Sequence, residues 1–194
     1  MNNKLTDGQN KIIITAMTMI PECGINNITL KKIAERMGVT EPAIYRHFKN
    51  KNDFIEKLYL TMRIVFISNF ETIINKPTDA KTKLKEMIVF ALELNRKKKG
   101  IAFILMTHAI LNNEPRLLEL MNNIKNTYLS YIEKVLLECQ QKKYIDKKTD
   151  IKTAAKILLG ITQTEVINFL LSGCKERPGK NIDQILNYYF NGVK

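Results

Sequence analysis

The chain has 194 residues, enough for one large or two small domains, and 45% of them are hydrophobic, enough to bury a real core. Its formal charge of +12 invites an acidic partner, but residues 1–60 hold nine Lys/Arg against six Asp/Glu, while residues 61–194 hold 22 against 13. Most of the excess therefore lies in the second part and reads as a Lys-rich solvated surface. Cys23, Cys139 and Cys174 are too scattered for a disulfide framework or a zinc cage.

Met1 to Thr6 is polar, with Lys4 its one charge, and is expected to fray. No basic-then-apolar leader follows Met1, and no uninterrupted apolar run reaches membrane length. The expectation is a soluble, cytoplasmic protein with no membrane partner. A first helix is predicted over Asp7–Cys23, with Ile13, Ala16, Met17 and Ile20 inward and Pro21 disturbing its last turn. Leu30, Ile33, Ala34 and Met37 form one face of a second helix. Gly38 suits the left-handed residue that ends it. Thr40-Glu41-Pro42 then restarts a helix: Thr40 as N-cap, Glu41 against the positive helix start, and Pro42 where an N–H has no partner. Two short helices about a Gly-containing turn form a helix-turn-helix. Glu41, Ala43, Tyr45, Arg46 and His47 are expected outward on its second helix, with Ile44 and Phe48 inward.

Asn50, with Asp53 three residues on, can cap a long helix to about Asn75 that connects a head (residues 1–50) to a body (residues 51–194). From Thr78 the pattern stays helical. Leu84, Met87, Ile88, Ala91 and Leu94 form one stripe, closed by the four cations Arg96–Lys99. Ile101 to Leu111 reads as a buried helix. Asn113-Glu114-Pro115 starts a helix with Leu117, Met121, Ile124, Tyr128, Ile132, Val135 and Cys139 on one side. Two last helices, Asp150 to about Ser172 and Asn181 to Val193, are apolar on more than one face.

Ala16, Gly24, Thr29, Ile33-Ala34, Gly38-Val39-Thr40, Ile44-Tyr45, His47-Phe48 and Asn50-Lys51 follow the recurring pattern of another set of proteins. In these residues the stretch from about 8 to 60 resembles the DNA-binding head of the tetracycline-repressor (TetR) family. The resemblance implies an all-α fold, with a three-helix helix-turn-helix head and a larger helical body for effector binding and dimerisation. Pro42 departs from it, standing where the family most often has glycine.

Thr29 and Lys31 are candidates for phosphate contact, and Thr40 for phosphate or base. Glu41, Pro42 and Ala43 are candidates for base edges, while Arg46 can read guanine or hold phosphate. The resemblance adds Tyr45, His47 and Lys51 as phosphate holders. The implied partner is a pseudo-palindromic double-stranded operator bound by a homodimer. Ala154, Leu158, Ile161, Glu165, Ile182, Ile185, Leu186, Tyr189 and Phe190 are the expected four-helix dimer seam. Met87, Phe90, Phe103, Met106, Thr107, His108, Met121 and Tyr128 are the expected lining for a small apolar effector, although a Met and aromatic set at helical spacing also describes plain core. The sequence calls for no cofactor, metal or enzymatic role. The leading reading is a repressor released by its effector, and the alternative is an effector-independent architectural or partner-regulated DNA-binding protein.

Overall fold

The computed structural model describes residues 5–192, so the expectations for Met1–Lys4 and Val193 fall outside the described residues. The helices are α1 (Asp7–Cys23), α2 (Leu30–Met37), α3 (Glu41–Tyr45), α4 (Lys51–Ile74), α5 (Ala80–Lys97), α6 (Ile101–Asn112), α7 (Pro115–Gln141), α8 (Ile151–Leu171) and α9 (Ile182–Gly192), with a short 3-10 turn at Ile25–Asn27. They form two compact units. One comprises residues up to Met62 together with Ile101–Met121, and the other Arg63–Gly100 with Asn122 onward. The sequence division at residue 50 does not follow these units. α6 packs on α1 and on the 3-10 turn, because its uninterrupted apolar surface needs cover.

In the first unit, Thr6 is an ordered N-cap rather than a frayed end. Its Oγ1 accepts from Gln9 N–H (3.2 Å), and the Gln9 side chain accepts from Thr6 N–H (3.0 Å). α1 continues through Pro21, and Ile12 and Met19 are buried along with the expected stripe because α1 is covered by both α2 and α6. Leu30, Ile33 and Ala34 are buried on α2, which Gly38 ends at φ 67° and ψ 30°, a conformation that a Cβ would strain. Ile44 and Phe48 are buried, and Phe48 meets Phe54 edge to face at 5.3 Å. Each such side chain contributes about 1.5–3 kcal/mol by leaving water. Asn50 Oδ1 accepts from Asp53 N–H at 2.9 Å, and Asp53 in turn accepts from Lys49 N–H at 2.9 Å. Burial works to raise the Asp53 carboxyl, but its bonds with Lys57 and Lys49 hold it below the usual range. Tyr59 is buried on α4, and its hydroxyl donates to Leu105 O (2.6 Å). That proton being committed, His108 Nδ1–H is left to donate to Tyr59 Oη (2.9 Å).

In the second unit α5 packs on α8 and α9. Leu84, Met87, Ile88 and Ala91 of α5 are buried, as are Ile132, Val135, Leu136 and Cys139 of α7, and Lys83 of α5 donates to Glu138 of α7 at 2.9 Å. α5 is capped by Asp79 and α8 by Asp150, each carboxylate accepting two first-turn N–H groups. α7 begins at Pro115, with Leu118 N–H bonded to Glu114 O, so Asn113 (φ 48°) stands outside it. Asn113 thus stands just before the helix that its segment was expected to start, and Asn tolerates the left-handed turn that ends α6. α8 is, among the described residues, the one helix long and apolar enough to cross a membrane, but Ala154, Ala155, Leu158, Thr162, Val166 and Phe169 are buried along it as core.

His108 is half-buried, and that burial lowers its pKa below the usual 6.5; Glu114 works to raise it and Lys51 to lower it. As pH falls through the unfolded value, the unfolded chain takes up a proton that folded His108 resists, so stability declines. His108→Gln keeps a donor for Tyr59 and removes that uptake. Thermal melts at about pH 7.5 and 5.5 are expected to show a smaller loss of Tm for the variant than for the wild type. Equal losses would assign the pH dependence to other groups.

Candidate nucleic-acid interface

The second helix of the helix-turn-helix is about one and a half turns long, and its outer face opens on the short side chains of Thr40 and Pro42. Thr40 takes an extended backbone (φ −80°, ψ 150°) and its carbonyl accepts from Ala43 N–H at 3.0 Å, but its hydroxyl makes no cap bond. An exposed hydroxyl at a helix start can meet a phosphate or a base edge. Pro42 is exposed, and Glu41 and Ala43 are half-buried. Tyr45 is 48% exposed.

The helix ends at Tyr45, so Arg46 and His47 lie beyond it rather than on its face. His47 N–H bonds to Ile44 O at 2.9 Å, a tight turn that lets Phe48 enter the core and Asn50 cap α4. Arg46 is exposed. The His47 ring lies against the first turn of α1, where a Cβ on Gly8 would stand 2.2 Å from its Cε1. Thr29 is the N-cap of α2, and its oxygen accepts from Lys32 N–H (3.1 Å) while its own hydrogen stays available to an anion. Lys31 and Lys51 are exposed, Lys51 at the start of α4. Arg36 is held by Glu22 at 2.7 Å.

Met87, Phe90 and Tyr128 belong to the second unit, and Phe103, Met106, Thr107, His108 and Met121 to the first. Met87 is fully buried core. Phe90 joins Phe66 (6.1 Å) and Phe70 (5.7 Å), and Tyr128 stacks on Phe70 at 4.8 Å. Tyr128 Oη is buried without a hydrogen-bond partner, and burial pushes its pKa up. The Thr162 hydroxyl donates to Leu158 O at 2.9 Å, and its free lone pairs face the phenol and work to lower that pKa. Phe103, Met106 and Met121 are half-buried, and Thr107 donates to Phe103 O at 3.0 Å.

Of the seam candidates, Ala154, Leu158, Ile182, Leu186, Tyr189 and Phe190 are buried within the chain's own core. Tyr189 Oη donates to Ala154 O at 2.9 Å, tying α9 to α8. These six therefore serve the chain's own core first, and charges at Leu186 or Phe190 would disturb the fold as well as any dimer. Ile161 and Ile185 stay partly exposed, and Glu165 accepts from Gly179 N–H at 2.7 Å. The outer side of α8 is instead Ile157, Gly160, Ile161, Thr164, Asn168 and Leu171, with Ile157 49% and Leu171 81% exposed. On α9 it is Gln184, Ile185 and Tyr188, beside an open groove of about 990 Å³ that includes Asn168, Arg177 and Asn181.

Residues 12–58 match the model of the bacterial regulatory proteins of the tetR family, and residues 54–190 that of the C-terminal region of YsiA-like proteins. The chain belongs to the tetR family. It is a DNA-binding helix-turn-helix regulator with a helical C-terminal body. Nucleoid occlusion factor SlmA of Vibrio atlanticus is 26% identical over 160 residues, 82% of each chain. The fatty acid degradation regulator FadR of Bacillus halodurans shares its fold at a TM-score of 0.85 and 23% identity, over 98% of each chain. FadR of Bacillus subtilis, solved in complex with stearoyl-CoA, has a TM-score of 0.81 and 25% identity, over 95% of this chain and 99% of that one.

Within this tetR-family head, periodicity missed Gly8 and Gln9. Neither belongs to an apolar stripe, and only the fold brings them to residue 47. The body's unpartnered phenol yields a test of its own. Tyr128→Phe removes a buried hydroxyl that has only the Thr162 oxygen nearby and no well-formed bond, so stability is expected to hold or rise by up to about 1–2 kcal/mol. Chemical denaturation checks this, and a loss of more than about 1 kcal/mol would mean that the hydroxyl is bonded in solution.

Proposed function

We propose that the chain is a homodimeric, sequence-specific transcriptional repressor acting in the cytoplasm, released from a pseudo-palindromic operator by a small, largely apolar effector. The single observation that carries the DNA reading is the outward set Thr40, Pro42, Tyr45 and Arg46 on a stub whose inner side, Ile44 and Phe48, is locked in the core. Glu41, Pro42 and Ala43 are the base-edge candidates; Thr29, Lys31, Thr40, Tyr45, Arg46 and Lys51 serve phosphates, with Thr40 and Arg46 also within the reach of bases. His47 remains a phosphate candidate: it is exposed, and its ring lies beside Gly8 of α1. Removing one phosphate contact weakens binding to every sequence and flattens the salt dependence. Tyr45→Ala and Lys51→Ala are expected to lose affinity for operator and scrambled duplexes alike, the lysine variant with a salt slope smaller by about 1. Anisotropy titrations at several salt concentrations check this, and wild-type behaviour in both variants would remove these roles.

The dimer seam we propose uses the outer sides of α8 and α9. Gly160 supports it: a glycine inside a helix costs about 1 kcal/mol relative to alanine, yet a Cβ there would meet nothing within 4 Å in the chain. Close approach of a second copy would account for it. Ile161→Glu combined with Tyr188→Glu is expected to give a folded monomer in sedimentation experiments, and a persisting dimer would move the seam elsewhere.

For the apolar part of the effector we propose a long acyl chain, such as that of the stearoyl-CoA in complex with the Bacillus subtilis neighbour. The aromatic group of Phe66, Phe70, Phe90 and Tyr128 supports an apolar ligand in the body. To act as a switch it must bind the DNA-free state better than the DNA-bound one. Stearoyl-CoA is expected to release the protein from its operator. A second reading, a partner-regulated protein without effector, is supported by the likeness to nucleoid occlusion factors across four-fifths of the chain. DNA binding indifferent to acyl thioesters would favour it.

A further inference from the structure

We infer that Gln9, with Gly8 beside it, is a positioning residue for DNA reading: the first turn of α1 clamps the exit of the reading helix. This rests on the DNA-binding reading of the head. α3 spans only Glu41–Tyr45, far below the length at which a helix holds itself together in water. Its axis must therefore be held at both ends by other parts of the unit. The entry is held by the Gly38 turn, where Val39 N–H bonds to Ala34 O at 3.0 Å. The exit is the His47 carbonyl, whose partner comes from 38 residues away: Gln9 Nε2 donates to it at 2.9 Å.

The Gln9 amide cannot readily turn over. Its oxygen already accepts from Thr6 N–H at 3.0 Å, so both ends of the amide are engaged, one capping α1 and one holding the turn after α3. Gly8 makes the approach possible. It lies inside α1 and is not among the residues of positive φ, so its backbone does not require glycine. Glycine is also among the poorest helix formers. What favours it is space, since a Cβ would stand 2.2 Å from Cε1 and 2.8 Å from each ring nitrogen of His47, so the exposed ring would have to leave its place against α1. Ring and carbonyl of His47 are thus both registered on α1. The recognition stub inherits its angle from a helix that carries none of its proposed base contacts.

A lost clamp changes where the stub points, not how many cations face the backbone. Specific binding should therefore suffer while sequence-independent binding persists. The probes are the duplex that wild-type protein enriches from a random 20-base-pair library, of about the length two half-sites occupy, and a scrambled duplex of the same composition. Gln9→Met is expected to lose roughly tenfold in affinity for the enriched duplex, the scale of one lost base contact, with the scrambled duplex unchanged. Thr6→Val, which removes the α1 cap but leaves the Gln9–His47 bond, is expected to lower Tm and keep the ratio of the two affinities. Gly8→Ala is expected to lower that ratio, and adding His47→Ala is expected to restore it by removing the ring the new methyl strikes. A Gln9→Met ratio equal to wild type would overturn the clamp, as would an equal loss in Thr6→Val. If the wild-type protein enriches no sequence, the DNA reading itself fails.

Discussion

A helix of five residues has no means of holding its own axis. Everything the head does depends on two side chains at its inner side, Ile44 and Phe48, being driven out of water against α2 and α4. Once they are buried, Thr40, Pro42 and Tyr45 must face solvent on the other side, with Arg46 exposed just past the helix end. The polar bonds around the stub do not supply the driving force. The Gly38 turn and the His47 carbonyl define direction, at a net gain for each bond of only about 1 kcal/mol. Burial supplies stability, and directional bonds supply angle.

The same division recurs through the first unit. α6 is apolar enough to be covered on several sides, and it finds cover on α1. Its polar residues are then settled locally: Thr107 bonds one turn back, and His108 completes the Tyr59 hydroxyl. Burying Tyr59 would be costly without those partners. In the second unit Tyr128 is the contrast, a phenol stacked among aromatic rings with its hydroxyl unanswered.

Much of this was legible in the sequence. Helix ends were written in Thr29, Gly38, Asn50 and Asp150, whose side chains or backbone meet local needs independent of the rest of the chain. Inward stripes on α1, α2 and α5 followed from spacing, because a helix with one apolar face has one choice of inside; Met37 and Leu94, at the helix ends, are only half-buried, and Leu92 and Asn95 are buried in the last turns of α5. The family pattern was legible for the same reason: it lies in contiguous turns and caps. Asp79 is a cap of the same kind that could have been read, a carboxylate immediately before a helix start.

The sequence by itself thus determined an all-helical chain and the residues at the tip of its reading stub, since caps, turns and periodicity are local chemistry. Tertiary structure alone decided three things. On α8 and α9 it chose which apolar face is core and which is surface: Leu186 and Phe190 went in, while Tyr188 stayed out. It brought Gln9 to residue 47, and it grouped α6 with the head. Periodicity cannot decide these, because a helix apolar on two sides satisfies its pattern in either orientation, and a single bond between distant residues has no pattern at all.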